Sequence, residues 1–228
     1  MSTLASLPEP DKRGLLAYLE IILRINETLN LTAVRDRDEA IARHLEESLE
    51  LVPAIRAIAA ERGERRTPLR LVDVGTGGGF PGVPLAVALP DIEVELIEAR
   101  EKKARAVETA IQEAGLRPLA VHADRVELLG QGALRERFDI AVARALADLP
   151  TLLELTLPLV RVGGCLLAVK GERAEEELSR SKRALRELGG ELHSIERVPS
   201  ATLVRIDKRS ATPKRYPRRP GEPKRNPL

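Results

Sequence analysis

The chain has 228 residues, 43% apolar and 32% charged, enough to bury one substantial core, so one domain with appended segments is expected. The single cysteine, Cys165, excludes an intrachain disulfide and a zinc site built from cysteines, and no metal is expected. Aromatics are only 2% of the chain (Phe80, Phe138, Tyr18 and Tyr216, with no Trp), which leaves Leu, Val, Ile and Ala to build the core and argues against base recognition by a wall of stacked rings. The opening M-S-T-L-A-S-L-P-E-P-D-K lacks a charged stretch followed by an apolar one, and no apolar run reaches the length of a membrane span. A cytoplasmic protein without membrane attachment is expected.

In chain order, apolar residues at Leu15, Leu16, Leu19, Ile22 and Leu23 form a helical stripe over 10–26. Asp36 or Asp38 can cap a second helix that carries Ile41, Leu45, Leu49 and Val52 on one face. Residues 61–67 read as a charged linker. Then follow a strand at 71–74, a helix at 82–89, a strand at 93–98 and a helix at 101–115 that ends on its glycine. Strands at 118–122 and 138–142, a helix at 147–158, a strand at 165–169 and a charged helix at 174–188 come next. The ending E-L-H-S-I-E-R-V-P-S-A-T-L-V-R-I reads as two strands joined at Pro199-Ser200. This alternation predicts an α/β fold: a doubly wound, mostly parallel sheet with an antiparallel C-terminal hairpin strand and added N-terminal helices. The divisions expected are a helical extension over 1–66, a sheet domain over 67–207 and a tail over 208–228.

The richest segment is L-V-D-V-G-T-G-G-G-F-P-G, residues 71–82. A short apolar strand runs into Gly75, Gly77, Gly78 and Gly79, which turn tightly and let a ligand press on the backbone. Ligands of doubly wound sheets sit at the carboxyl ends of strands, where this loop falls. Glu98, ending the next apolar run, is placed to accept hydrogen bonds from both hydroxyls of a ribose. The segment therefore indicates a nucleoside cofactor. Gly77 to Gly82 also fits the dinucleotide pattern G-x-G-x-x-G. Against a dinucleotide stand Asp73, which would repel a pyrophosphate, and Pro81 with Pro84, where a pyrophosphate needs free amides. D-x-G-x-G-x-G over Asp73 to Gly79 suits S-adenosylmethionine (SAM), whose ammonium can meet Asp73. NAD stays open as the alternative.

The charge is uneven. Residues 208–228 hold eight Lys or Arg against one acid, +7, and the remaining 207 residues carry −5. Five prolines in the same segment predict an extended arm for polyanions, with a disordered solubilising end as the bland alternative. Tyr216 between Arg215 and Arg218 favours the arm, because its ring could stack on a base or pack back on the body.

Asn30-Leu31-Thr32-Ala33-Val34-Arg35-Asp36, then Arg43-His44-Leu45 and Ser48-Leu49, resembles the N-terminal signature of the bacterial small-subunit ribosomal RNA guanine-N7 methyltransferases (RsmG, also called GidB). The loop ending Phe80-Pro81-Gly82, Ala143-Arg144-Ala145, Lys170-Gly171 and T-P-x-x-Y-P-R-R-x-G-x-P over 212–223 are similar to the same family. The resemblance spans the chain from about Leu15 onward and implies a Rossmann-like SAM-dependent methyltransferase fold acting on 16S ribosomal RNA, within the small subunit or an assembly intermediate.

To Asp73 and Gly77, read from the loop pattern itself, the resemblance adds a cofactor site of Gly75, Phe80 and Glu98, with Val126 and Glu127 at the adenine edge and Arg144 on the ligand side, both cofactor contact and candidate catalytic residue. Without it, Val126 and Glu127 would read as the start of a surface helix. Arg144 sits among small apolar residues, where an arginine is costly to bury without an anionic partner. RNA contacts are expected from Asn30, Arg35, His44, Lys170, Lys214, Arg215, Tyr216 and Arg218. His44 would face RNA or act as a hinge, not as a base, and Lys170 could equally cap the sheet edge. His122 and His193 read as surface residues. Guanine N7 carries a lone pair and no proton, so methyl transfer to it needs alignment and no general base. A ribosome-assembly protein that keeps the fold without the chemistry is the remaining alternative.

Overall fold

A computed structural model describes residues 4–61 and 68–228; six of the seven residues read as a linker, 62–67, lie outside them. Helix α1 (Glu9–Leu29) buries Leu15, Tyr18, Leu19, Ile22 and Asn26, the predicted stripe joined by two polar-tipped residues. It ends on Asn30 in the left-handed conformation, φ 48°. Asp36 caps α2 (Arg37–Ala40), its Oδ1 accepting from the Glu39 amide at 2.8 Å. The run continues as a π-helical turn (Ile41–Glu46) into α3 (Glu47–Leu49). It stops there, and Val52 opens a separate helix, α4 (Val52–Glu61), instead of extending the second one.

Seven strands follow: β1 (Leu69–Val74), β2 (Ile92–Ile97), β3 (Ala120–His122), β4 (Phe138–Arg144), β5 (Val160–Lys170), β6 (Gly190–Arg197) and β7 (Thr202–Lys208). Their order in the sheet is β3-β2-β1-β4-β5-β7-β6. β2 with β3, β1 with β4, and β4 with β5 pair in parallel; β7 runs antiparallel to both β5 and β6. The mostly parallel sheet with its antiparallel terminal hairpin is the predicted one. The helices between are α5 (Gly82–Ala88), α6 (Glu101–Glu113), α7 (Val126–Gln131), α8 (Leu149–Thr156), α9 (Ala174–Arg180) and α10 (Lys182–Leu188). The single charged helix expected over 174–188 is two, broken at buried Ser181, whose Oγ donates to the Glu177 carbonyl at 2.7 Å.

The chain forms two compact units, one running through Leu69 and resuming over Thr76–Ala123, the other comprising Arg70–Gly75 and Asp124–Leu228. Inside the first, α1 packs on α5 and α6, and α3 on α5. The N-terminal helices therefore share a unit with residues 76–79 of the glycine loop, and the tail belongs to the second unit.

The extended arm is corrected by the structure. Lys208, the last residue of β7, is fully buried; its Nζ donates to the Leu157 carbonyl at 2.7 Å and to Thr212 Oγ1, with Glu136 at 3.7 Å. Arg135 reaches into the tail and donates to the carbonyls of Thr212 (2.6 Å) and Tyr216 (2.8 Å). The Tyr216 ring is buried and its hydroxyl donates to Glu187. Arg218 forks onto Glu154, which is wholly buried, at 2.6 and 2.9 Å. The Gly221 amide donates to Glu127 Oε1 at 2.9 Å, and α11 (Glu222–Arg225) closes the chain. Part of the charge asymmetry is thus resolved inside the second unit, where Glu136, Glu187 and Glu154 are counter-ions of Lys208, Arg215 and Arg218.

Candidate active site

In the first unit, the glycine loop rests on the N-terminal helices. The Tyr18 hydroxyl donates to the Gly78 carbonyl at 2.8 Å. Gly79 has φ +87°, and a Cβ there would stand 2.0 Å from that hydroxyl oxygen, so only glycine fits. Phe80 lies edge-on to Tyr18, centroids 5.7 Å apart, and stacks flat on His44. His44 Nε2 meets Thr32 Oγ1 at 2.7 Å; the Thr32 amide donates to Asn26 Oδ1 at 2.9 Å, and Asn26 Nδ2 donates to the Val34 carbonyl at 3.3 Å. The N-L-T and R-H signatures are therefore one polar bracket behind Phe80. Lys103 Nζ adds a hydrogen bond to the Asn30 carbonyl at 2.7 Å.

Glu98 directly follows β2 and is mostly buried. Its Oε2 accepts from the Gly77 amide at 3.2 Å and its Oε1 from the Arg100 amide at 2.9 Å. A carboxylate offers about four lone-pair sites, so two remain for hydroxyl donors after the backbone has fixed its orientation.

In the second unit, Asp73 is buried near the end of β1, in register with Val142 of β4. Gly75 has φ +76°, and a Cβ there would fall 2.6 Å from Leu146 Cδ1. Arg144 is the last residue of β4, in register with Val169, one step inside the strand and not past it. The next residue, Ala145, takes φ +54°. Lys170, ending β5, donates to the Ala147 carbonyl at 2.8 Å and pairs with Glu177 at 2.6 Å. Val126 and Glu127 open α7, and both are buried. Burial by itself would raise the Glu127 pKa, but hydrogen bonds from Arg125 and the Gly221 amide outweigh it and hold the group below its ordinary value.

Of the residues expected to face RNA, Asn30, Arg35, Lys214 and Arg215 are exposed. His44, Lys170, Tyr216 and Arg218 are turned inward to Phe80, Glu177, Glu187 and Glu154 respectively: Lys170 and Tyr216 take the inward alternative that the sequence left open, and Arg218 is not the outward-facing contact expected of it. Tyr18, Asn26, Thr32 and Glu177 were missed by the sequence reading. Asn26 and Thr32 carried a signal, as polar residues flanking a signature loop; Tyr18 looked like one more member of an apolar stripe. Among the described residues there is no cluster of His, Cys, Asp and Glu able to hold a metal, and no helix long and apolar enough to cross a membrane.

The first unit thus holds a tight glycine turn at Gly79 and a backbone-oriented carboxylate at Glu98, and the second holds buried Asp73 with Gly75 at positive φ, on a strand order shared with SAM-dependent methyltransferases. Residues 11–204 match the family described as rRNA small subunit methyltransferase G (GidB), and the chain belongs to that family. Ribosomal RNA small subunit methyltransferase G of Acetivibrio thermocellus is 39% identical, covering 93% of this chain and 86% of that one. The protein of the same name from Pelotomaculum thermopropionicum is 40% identical, covering 97% and 92%. In fold, the chain is similar to MtNAS solved in complex with S-adenosylmethionine, with a TM-score of 0.55 and 17% identity over 87% of this chain and 76% of that one. A ribosomal-protein methylase from Lactobacillus delbrueckii subsp. bulgaricus gives 0.50 at 22% identity, over 69% and 77%. Family membership decides for SAM over NAD and for an rRNA methyltransferase over a protein without the chemistry.

Proposed function

We propose that the enzyme methylates N7 of a guanine in 16S ribosomal RNA in the cytoplasm, as free RNA or within an assembling small subunit. The observation that carries the cofactor assignment is Glu98, held by the Gly77 and Arg100 amides with lone pairs to spare for two ribose hydroxyls. Asp73 would meet the ammonium of the methionine moiety, Gly75 and Gly77 would let it approach the backbone, and Phe80 would form a wall. Val126 and Glu127 would border the adenine; because the Glu127 carboxylate is committed to Arg125 and Gly221, its backbone is the part available. Arg144, at the carboxyl end of β4, would lie on the acceptor side and fix the guanine. When bound, SAM supplies an electrophilic methyl group on a sulfonium. Guanine N7 has its lone pair in the ring plane and no proton, so these residues need to align and shield, holding reacting atoms at about 3–3.5 Å, and no side chain has to act as base. Exposed Asn30, Arg35, Lys214 and Arg215 supply the RNA contacts.

Glu98→Ala should weaken SAM binding about 10- to 100-fold, the loss expected for charged hydrogen bonds of roughly 1.5–3 kcal/mol. Calorimetry on the purified protein tests this, and mapping of methylated nucleotides after incubation with 16S RNA tests the acceptor. Unchanged SAM affinity in Glu98→Ala, or methylation at an atom other than N7, overturns the reading.

A further inference from the structure

We propose that Lys170 and Glu177 are positioning residues for methyl transfer: they clamp the loop that follows Arg144, and Lys170 acts through that loop and not by contact with RNA phosphate. The inference rests on the acceptor-side role proposed above for Arg144.

Arg144 is fixed on one side by β4, paired with β5 through Arg144 and Val169. On its other side, residues 145–148 have no regular structure, at the end of the strand where ligands of such sheets sit. A loop there would blur the arginine's position unless something held it. Each of its residues up to Ala147 is specified. Ala145 sits at φ +54°, a conformation that costs a side-chain-bearing residue energy and persists only where its surroundings impose it. Leu146 fills the space over Gly75 that a Cβ would need. Ala147 gives its carbonyl to Lys170 Nζ at 2.8 Å.

The clamp closes through one atom. Glu177 Oε2 accepts the Leu149 amide, the first of α8, at 2.8 Å and lies 2.6 Å from Lys170 Nζ. Lysine, carboxylate, helix start and loop carbonyl form a ring, with the lysine and glutamate side chains only 9% and 10% exposed. An ammonium has three donors, and two are used here in a nearly closed site, which leaves little of it for a phosphate. β5 and α9 thus reach across to fix the backbone just beyond the arginine. Catalysis by alignment is sensitive to such support, since a misplacement of about 1 Å can cost on the order of 100-fold in rate.

The test uses the full chain and four variants: Lys170→Met, Lys170→Arg, Glu177→Gln and the double change Lys170→Met with Glu177→Gln, which removes the clamp without leaving a buried charge. Single-turnover methylation of 16S RNA at saturating SAM, SAM affinity by calorimetry, the salt dependence of RNA binding, and hydrogen exchange at Leu149 in the free protein are measured. Lys170→Met and the double variant should lose on the order of 10- to 100-fold in rate, with SAM affinity within about twofold, an unchanged salt slope and faster exchange at Leu149. Lys170→Arg should recover most of the rate, and the double variant should be no slower than the product of its single changes predicts. A log–log salt slope shallower by roughly 0.7–0.9 in Lys170→Met would make the lysine a phosphate contact and overturn the proposal. So would an unchanged rate in the folded double variant, or a parallel fall in SAM affinity. If the unmodified protein transfers no methyl to the RNA, the reading of the acceptor fails by itself; unaltered Leu149 exchange in the double variant then overturns the clamp, and faster exchange supports it.

Discussion

The Phe80 ring lies flat on the His44 imidazole, centroids 4.6 Å apart and planes within 8° of each other. A histidine in a family signature is therefore tied to the glycine loop and not to the RNA surface. Stacked aromatic pairs are worth roughly 0.5–1.5 kcal/mol beyond their burial, so His44→Ala should weaken SAM affinity about 2- to 10-fold. The salt dependence of RNA binding should not change. Calorimetry and salt titration together check this; a shallower slope with normal SAM affinity would return His44 to the RNA.

An acceptor without a proton predicts a flat pH profile. The single-turnover rate at saturating RNA and SAM should vary little between about pH 6 and pH 9, without the bell shape of general acid–base catalysis. His44→Gln should lower the rate without reshaping the profile, and Arg144→Ala should cost more. A rise of about tenfold or more across one titration near pH 6.5, abolished in His44→Gln, would indicate a protonated acceptor.

The tail divides into buried anchors and exposed cations, and the two should separate by mutation. Arg218→Met leaves Glu154 buried without its partner, and removing one member of a buried pair costs about 3–5 kcal/mol, measurable by denaturant unfolding. Lys214 and Arg215 are exposed. Neutralising both should shallow the log–log salt slope of RNA binding by roughly 0.7–0.9 for each phosphate that these cations pair with, while stability changes little.

Burial lowers the Lys208 pKa from 10.5 to about 8, against the attraction of Glu136. Between those values the unfolded chain holds a proton that the folded chain has released, so stability rises with pH across this window and the penalty of the buried charge is in full force below it. In Lys208→Met the dependence should vanish. The stability difference between the unmodified protein and the variant should shift toward the unmodified protein by roughly 3 kcal/mol from neutral pH to above 10, at about 1.4 kcal/mol per unit of pKa. A difference that stays constant with pH would refute the buried charge.

The sheet was legible because its strands alternate with helices at regular spacing, and Gly75 and Glu98 each directly follow the carboxyl end of a strand, as the sequence pattern places them. What stayed hidden was side-chain partnership across long sequence distances. Arg218 meets Glu154 across 64 residues and Tyr216 meets Glu187 across 29. No local pattern announces those pairings, and a run rich in proline and arginine looks the same whether its counter-ions are phosphates or the protein's own carboxylates. Lys170 was ambiguous for the same reason: Glu177 lies in the next helix, and only the turn at Gly171 brings them together.

The placement of β7 between β5 and β6 bears on how the chain is made. β5 and β6 leave the ribosome before the strand that joins them, so the edge of β5 has no neighbour on that side until Thr202–Lys208 has emerged. The anchors beyond it, from Lys208 to Gly221, are later still. The second unit is therefore completed only after β7 and these anchors have emerged, and a nascent chain stalled before Thr202 would present an open sheet edge, a surface that invites pairing with other chains.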